Sequence, residues 1–106
     1  MKILVDESLP VGLAAELSGD ISTVRAQRWL GLRNGVLLRA AVDAGFEVLI
    51  TADRALRHQQ NLPRLGLGVV LIVRVRNRMR ELRPLVPRIN TAAAQVRKGE
   101  LIEISA

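Results

Sequence analysis

The sequence has no cysteine and no tyrosine, and only one tryptophan, one phenylalanine and one histidine among its 106 residues. The lack of cysteine excludes disulfides and thiolate metal sites. The lone histidine, His58, argues against a zinc site, and we expect it at the surface or in contact with a partner. Two aromatic rings are too few for base stacking to be the main mode of nucleic-acid binding. These absences direct attention to the carboxylates and the arginines.

Long apolar runs are also missing. None approaches the roughly 18 residues that a membrane-spanning helix needs, and the first residues predict a strand rather than a secretory leader. We therefore expect a cytoplasmic protein with no membrane segment. Hydrophobic residues make up 49% of the chain, which is typical of a folded protein. With no linker and no internal repeat, residues 1–106 are predicted to form a single domain.

The charge is positive and unevenly distributed. Residues 1–50 carry five basic and six acidic side chains, whereas residues 51–106 carry eleven basic and four acidic ones, and the net charge is +6. Most of the basic residues are arginines, whose guanidinium forks pair with phosphate in two-point geometry. This pattern suggests a polyanionic partner, plausibly nucleic acid. The alternative is an arginine-biased composition with no functional meaning.

Short apolar runs alternate with helical patterns along the chain. The predicted strands are residues 3–5, 21–24, 47–51, 68–75 and 101–104. The intervening helices are predicted to start near Ser8, at Asn34 as the N-cap, at Ala52 and, after a turn at 78–82, near Pro84 and Pro87. A break is predicted at 61–63. Alternation of this kind favours an α/β fold with a mostly parallel sheet of about five strands and helices on both faces.

Carboxylates follow two of these strands directly. Asp6 and Glu7 follow the first strand, and Asp53 follows the third. Functional groups of parallel sheets collect beyond the carboxyl ends of the strands, so we expect Asp6 and Asp53 to face one cleft. Such acids are the ligands that Mg²⁺ prefers, and Glu7 points either into the cleft or away from it. Alternatively, the acids cap helices or pair with Arg54 and Arg57.

Two other residues have a functional and a structural interpretation. Thr51 either contributes a hydroxyl to the cleft or is a β-branched residue of the third strand, and the second interpretation is favoured. Trp29 either lines the cleft or pins the loop 25–33 to the core, and again the second is favoured.

Arginines follow the most apolar strand in an alternating pattern. Together with Arg54 and Arg57, the candidate nucleic-acid contacts are Arg74, Arg76, Arg78 and Arg80. On a continued strand the last four would share a face, and in a turn they would splay. Either arrangement places them at the same edge of the sheet as the acids, where they would hold phosphates without reading sequence. The alternatives are a solvated edge and a surface for an acidic partner protein.

Five segments resemble the PIN-like family DUF5615, whose members are related to the PIN-domain ribonucleases of VapC-type toxins. They are LVDESLP at 4–10, GLRNGVLL at 31–38, FEVLITADRAL at 46–56, QQNL at 59–62 and NRMRELRPLVP at 77–87. The resemblance covers nearly the whole chain. The first and third segments match the family's pattern of a strand followed by an acid.

The resemblance implies a PIN-like three-layer α/β/α sandwich, a Mg²⁺ or Mn²⁺ site and cleavage of RNA phosphodiesters. Asp6 and Asp53 fall on the family's acidic metal-binding positions, with Glu7 as a third catalytic candidate. It also implies neutralisation by a small antitoxin protein, and it leaves the oligomeric state open, a homodimer included. The match departs at Val36, where PIN nucleases supply a third acid, and at Ala55, where many supply a fourth.

Three functions therefore stand side by side. The first is a metal-dependent endoribonuclease of the toxin type. The second is a catalytically decayed PIN-like module that binds RNA or a protein through its arginine-rich half. The third is a phospho-receiver domain, which needs a lysine late in the sheet; Lys98, the only late lysine, precedes the last strand.

Overall fold

The strands lie side by side in one sheet, in which every neighbouring pair is parallel. The computed structural model describes residues 1–59 and 62–106. Its strands are β1 (Lys2–Val5), β2 (Asp20–Thr23), β3 (Phe46–Thr51), β4 (Gly68–Ile72) and β5 (Leu101–Ile104), in the order β2-β1-β3-β4-β5. The predicted α/β class is confirmed, and the sheet of the described residues is wholly parallel rather than mostly so. Strand β4 is buried along its whole length, as its run of apolar residues predicts.

Helices cover both faces of this sheet. They are α1 (Val11–Glu16), α2 (Asn34–Asp43), α3 (Leu62–Leu65), α4 (Met79–Leu82) and α5 (Val86–Gln95), with 3₁₀ turns at Arg54–His58 and Arg83–Leu85. On one face, Leu13 of α1, Leu82 of α4 and Ile89 of α5 pack with Ile3 and Ile50. On the other, α2, α3 and the 54–58 turn pack against the alternate strand residues. The result is a three-layer α/β/α sandwich with two apolar cores.

Several predicted boundaries are wrong in detail. Asn34 is the first residue of α2 and not its N-cap, because Arg33 occupies the cap position. Strand β4 ends at Ile72, since Arg74 has a left-handed backbone with φ of 57° and cannot continue a strand. The predicted break at 61–63 is replaced at Leu62 by the short helix α3. Two residues of the QQNL segment, Gln60 and Asn61, lie outside the described residues.

Left-handed backbone occurs at two kinds of residue. A glycine with positive φ precedes each strand from β2 to β5. These glycines are Gly19 (114°), Gly45 (90°), Gly66 (74°) and Gly99 (82°). Among the described residues, the non-glycine residues with positive φ are Arg28 (64°) and Arg74 (57°), which follow β2 and β4. These four glycines lie at the amino edge of the sheet, whereas Arg28 and Arg74 lie at its carboxyl edge together with a fifth positive-φ glycine, Gly31 (83°).

Candidate functional site

Strands β1 and β3 are neighbours, but the chain leaves their carboxyl ends in opposite directions along the sheet. Strand β1 leads through α1 on one face to β2, whereas β3 leads through α3 on the opposite face to β4. Because the two connections leave on opposite faces, a crevice opens between the strand ends, and such crevices are where open α/β sheets bind ligands. Asp6 follows β1 directly, and Asp53 lies two residues beyond β3.

Asp6 is held in place by two hydroxyl groups. Its side chain is buried, with 8% exposed, and its Oδ2 accepts hydrogen bonds from Ser8 Oγ at 2.7 Å and from Thr51 Oγ1 at 2.9 Å. The Ser8 backbone N–H adds a longer contact of 3.4 Å to the same oxygen. A carboxylate with one oxygen bound by two side chains from different segments has little rotational freedom.

Both hydroxyls accept a hydrogen bond from a backbone N–H and donate one to Asp6. Ser8 Oγ accepts the backbone N–H of Ala52 at 3.1 Å, and Thr51 Oγ1 accepts the backbone N–H of Asp53 at 3.0 Å. Each hydroxyl has one proton to donate, and with these N–H groups bound to the oxygens, that proton is directed at Asp6 Oδ2. The network therefore links Asp6 on β1 to the residues that follow β3, including Asp53.

The second oxygen of Asp6, Oδ1, accepts no hydrogen bond from the residues that the structure describes. The ion pairs found in that same part of the chain join Arg57 to Glu103 and Arg83 to Glu16, and neither involves Asp6 or Asp53.

Asp53 has a structural role beside any functional one. Its Oδ1 accepts the backbone N–H of Ala55 at 3.0 Å and thereby caps the 3₁₀ turn Arg54–His58. The side chain is half-buried, and its other oxygen has no hydrogen bond from a described residue. The cap was one of the alternatives that the sequence left open. It occupies one oxygen of Asp53 only.

Glu7 points away from Asp6 and towards the loop 24–33. Its exposed carboxylate accepts the backbone N–H of Gly31 at 3.1 Å. Trp29, in the same loop, is half-buried and meets the Phe46 ring edge-on at 6.1 Å between centroids. This packing confirms the prediction that Trp29 pins the loop to the core.

The predicted arginine contacts divide into paired and unpaired side chains. Arg57 donates two hydrogen bonds to Glu103, at 2.6 and 2.9 Å. These bonds raise the pKa of Arg57 and lower the pKa of Glu103, which Arg74 also lowers through its charge. Although the charge of Arg74 acts on Glu103, the other candidates are exposed and form no ion pair among the described residues: Arg54, Arg74, Arg76, Arg78 and Arg80.

The two aspartates suit a hard cation that takes only one or two of its ligands from the protein. Residues 1–59 and 62–106 bring no three acidic or histidine side chains together. Mg²⁺ commonly keeps several waters and binds through one or two carboxylates together with substrate phosphate. Asp6 and Asp53 can supply the carboxylates. Val36 is apolar and 59% exposed on α2. His58 is exposed at the end of the 3₁₀ turn.

The geometry opposes the receiver alternative. Lys98 precedes β5, so in a parallel sheet it lies at the amino edge, opposite to Asp6 and Asp53.

In the part of the chain that the structure describes, no helix has the length and apolar character that crossing a membrane requires. Comparison with protein-family models, with curated proteins and with solved structures finds no match to this chain.

Sequence reasoning missed two contributors to the site and ranked a third too low. Ser8 was expected only to start a helix, yet its hydroxyl binds Asp6. Thr51 is a residue of β3, the favoured interpretation, but its hydroxyl also binds the same carboxylate, which was the interpretation not favoured. Asn77 donates to the Ser8 carbonyl at 3.0 Å and ties the loop after β4 to the Asp6 turn. A short hydroxyl residue two positions from each acid, in Asp6-Glu7-Ser8 and Thr51-Ala52-Asp53, was the available signal.

Proposed function

We propose that this chain is a Mg²⁺- or Mn²⁺-dependent endoribonuclease of the PIN-like type that acts in the cytoplasm. One observation supports this most: Asp6 Oδ2 is fixed by Ser8 and Thr51 while its Oδ1 has no donor among the described residues, and Asp53 follows the neighbouring strand β3. Asp6 and Asp53 would hold the cation. When bound, the cation supplies Lewis-acid activation of water and neutralises charge on the phosphodiester.

The protein's own residues prepare this site in three ways. Ser8 and Thr51 orient the Asp6 carboxylate, so no side chain must reorganise when a cation arrives. Burial of Asp6 and Thr51 in the crevice excludes water from one side of the carboxylate. The unpaired arginines around the crevice hold phosphates of the RNA backbone without reading its bases, so cleavage specificity comes from the shape of the RNA.

Cleavage of structured RNA in the presence of Mg²⁺ or Mn²⁺ tests the proposal. We expect cleavage by the parent chain and a loss of at least about a hundredfold in both Asp6→Asn and Asp53→Asn. Asp43→Asn is the matched control, because Asp43 is an exposed acid at the far end of α2. Cleavage that persists in the Asp6 and Asp53 variants, or no cleavage by the parent, contradicts the proposal.

Metal binding gives a readout that does not depend on turnover. Titration of Mn²⁺ followed by electron paramagnetic resonance should show one bound ion in the parent chain and in Asp43→Asn. Binding should weaken strongly in Asp6→Asn. Equal Mn²⁺ affinity in all three proteins would show that the Asp6 carboxylate does not bind the metal.

Toxin action follows from the same proposal. Production of the parent chain in bacteria should arrest growth, and Asp6→Asn should relieve the arrest. A small antitoxin protein is the proposed partner, and co-production of a neighbouring short reading frame should restore growth. If production of the parent chain leaves growth unaffected, the toxin role is refuted and the nuclease proposal is not.

A second candidate function is a binding module without turnover. The absence of a three-acid group among the described residues, with Val36 exposed on α2, favours it. It predicts RNA binding that weakens with salt and is indifferent to divalent ions. Metal-dependent cleavage decides against it.

A further inference from the structure

Two loops are attached to the residues on either side of the Asp6 carboxylate. The loop after β2, residues 24–33, reaches the site through the hydrogen bond from Gly31 N–H to Glu7 Oε1 at 3.1 Å. The loop after β4, residues 73–78, reaches it through the bond from Asn77 Nδ2 to the Ser8 carbonyl at 3.0 Å. Because Glu7 and Ser8 directly follow Asp6 in the chain, both loops are held close to that aspartate.

Both loops present exposed arginines with no acidic partner among the described residues. The first loop carries Arg25, Arg28 and Arg33, and the second carries Arg74, Arg76 and Arg78. Arg25 also lines a cavity of about 30 Å³ whose wall includes Asp6 and Glu7. Arg57 and Arg83 are bound to carboxylates. The loop arginines form no ion pair among the described residues, although the charge of Arg74 acts on Glu103, so their guanidinium groups are available for an anion.

The backbone of these loops is strained at arginine. Arg28 has φ of 64° and Arg74 has φ of 57°, a conformation that costs an L residue about 1–2 kcal/mol. Glycine would relieve that cost. Strain of this kind concentrates at functional sites, and here it falls on one arginine in each loop.

We propose that the loop 24–33 is the second wall of an RNA-binding cleft, facing the arginines of the loop 73–78. This inference rests on the proposed function and extends it by setting the path of the RNA strand through the site. The RNA crosses the strand order from β4 over β3 and β1 to β2, with phosphates held by Arg25 and Arg28 on the far side of Asp6. The walls are three strand spacings apart, roughly 14 Å, which suits one strand and is narrow for a duplex.

Binding of a fluorescent single-stranded oligouridine to the Asp6→Asn protein tests the inference without interference from cleavage. The test variant is Arg25→Gln/Arg28→Gln. The matched control is Arg64→Gln/Arg97→Gln, which removes the same charge from exposed positions before β4 and β5, at the amino edge. We expect the test variant to bind at least about tenfold more weakly than the control. The slope of log affinity against log salt should fall by about 0.7 per lost contact.

Each outcome bears on one proposal or the other. Equal affinity of the test and control variants, or tighter binding of a duplex than of the single strand, overturns the inference. Absence of RNA binding by the parent chain also overturns it. Binding that depends on Arg25 and Arg28, in a protein that shows no metal-dependent cleavage, supports the inference and refutes the nuclease proposal. Arg25→Lys/Arg28→Lys should restore most of the affinity, which separates lost charge from a misfolded loop.

Discussion

The two edges of the sheet are built differently. At the amino edge, the left-handed position before each strand from β2 to β5 is a glycine, which adopts this backbone without strain. At the carboxyl edge, Arg28 and Arg74 adopt the same backbone at a cost. At these positions the amino edge follows the conformational preferences of its residues, whereas the carboxyl edge departs from them at two arginines and follows them at Gly31 (83°). The two strained arginines lie at the same edge as Asp6 and its hydroxyl partners Ser8 and Thr51, which supports the ligand site proposed there.

The largest effect on stability is expected at the amino edge, from Gly99→Ala. A Cβ on Gly99 would lie 2.7 Å from the Pro63 Cα, on a backbone with φ of 82°. We expect a loss of about 3–4 kcal/mol in the free energy of unfolding, from strain and clash together. Urea denaturation measures it. Gly35→Ala is the control, because no atom lies within 4 Å of that Cβ position and no positive φ is involved. A loss below 1 kcal/mol for Gly99→Ala would show that this edge tolerates strain after all.

The next effect is expected at the carboxyl edge, from Thr51→Val. This change removes the donor to Asp6 and leaves the Asp53 N–H without its acceptor. We expect a loss of about 1–3 kcal/mol in the free energy of unfolding and a 10–100-fold loss in cleavage rate or Mn²⁺ affinity. Thr51→Ser keeps the hydroxyl and should keep both properties. Equal behaviour of the Val and Ser variants would reduce the hydroxyl network to a packing feature.

A smaller effect of opposite sign is expected from Arg74→Gly. Glycine relieves the left-handed strain at this position, and thermal unfolding should show a gain of about 0.5–1 kcal/mol. The same variant loses a guanidinium of the second loop and should bind single-stranded RNA more weakly. Gain of stability with loss of affinity would sharpen the contrast between the edges. Loss of both would show that the Arg74 side chain stabilises the fold.

The smallest effect is expected at the paired arginine of the carboxyl edge. The hydrogen bonds from Arg57 hold the pKa of Glu103 below its ordinary value of 4.5. A lowered carboxyl pKa contributes stability that is fully present above pH 4.5 and is lost as the pH falls through the lowered pKa. Both side chains are solvent-exposed, so the contribution is small and sensitive to salt. A ¹³C NMR titration of the Glu103 carboxyl checks the direction, and Arg57→Gln should return the midpoint towards the ordinary value.

The order of elements could be predicted from the sequence because each strand is a short apolar run ending at a change of polarity. Asp6 and Asp53 could be assigned to strand ends for the same reason, and the structure places those ends side by side. Their roles depended on contacts that no local pattern encodes. Thr51 lies 45 positions from Asp6, so the hydrogen bond between them depends on the pairing of β1 with β3 and not on the local sequence.

The arginines show the same limit. Dividing the chain into an acidic first half and a basic second half assigned the anion surface to residues 54–80. In the structure every loop that follows a parallel strand emerges at the same edge of the sheet. Arg25 and Arg28, from the less basic half, therefore lie in a loop at the same edge as Arg76 and Arg78, whereas Arg57 is paired with Glu103. Position in the topology was the property that composition could not reveal.

The contact between Trp29 and Phe46 joins the only indole of the chain to its only other aromatic ring. Trp29 belongs to the loop 24–33, and Phe46 begins β3. Intrinsic emission therefore reports the docking of this one loop, undiluted by any second fluorophore. Detachment of the loop would shift the emission maximum before global unfolding begins. Trp29 fluorescence can therefore be used to follow one of the two loops that flank Asp6.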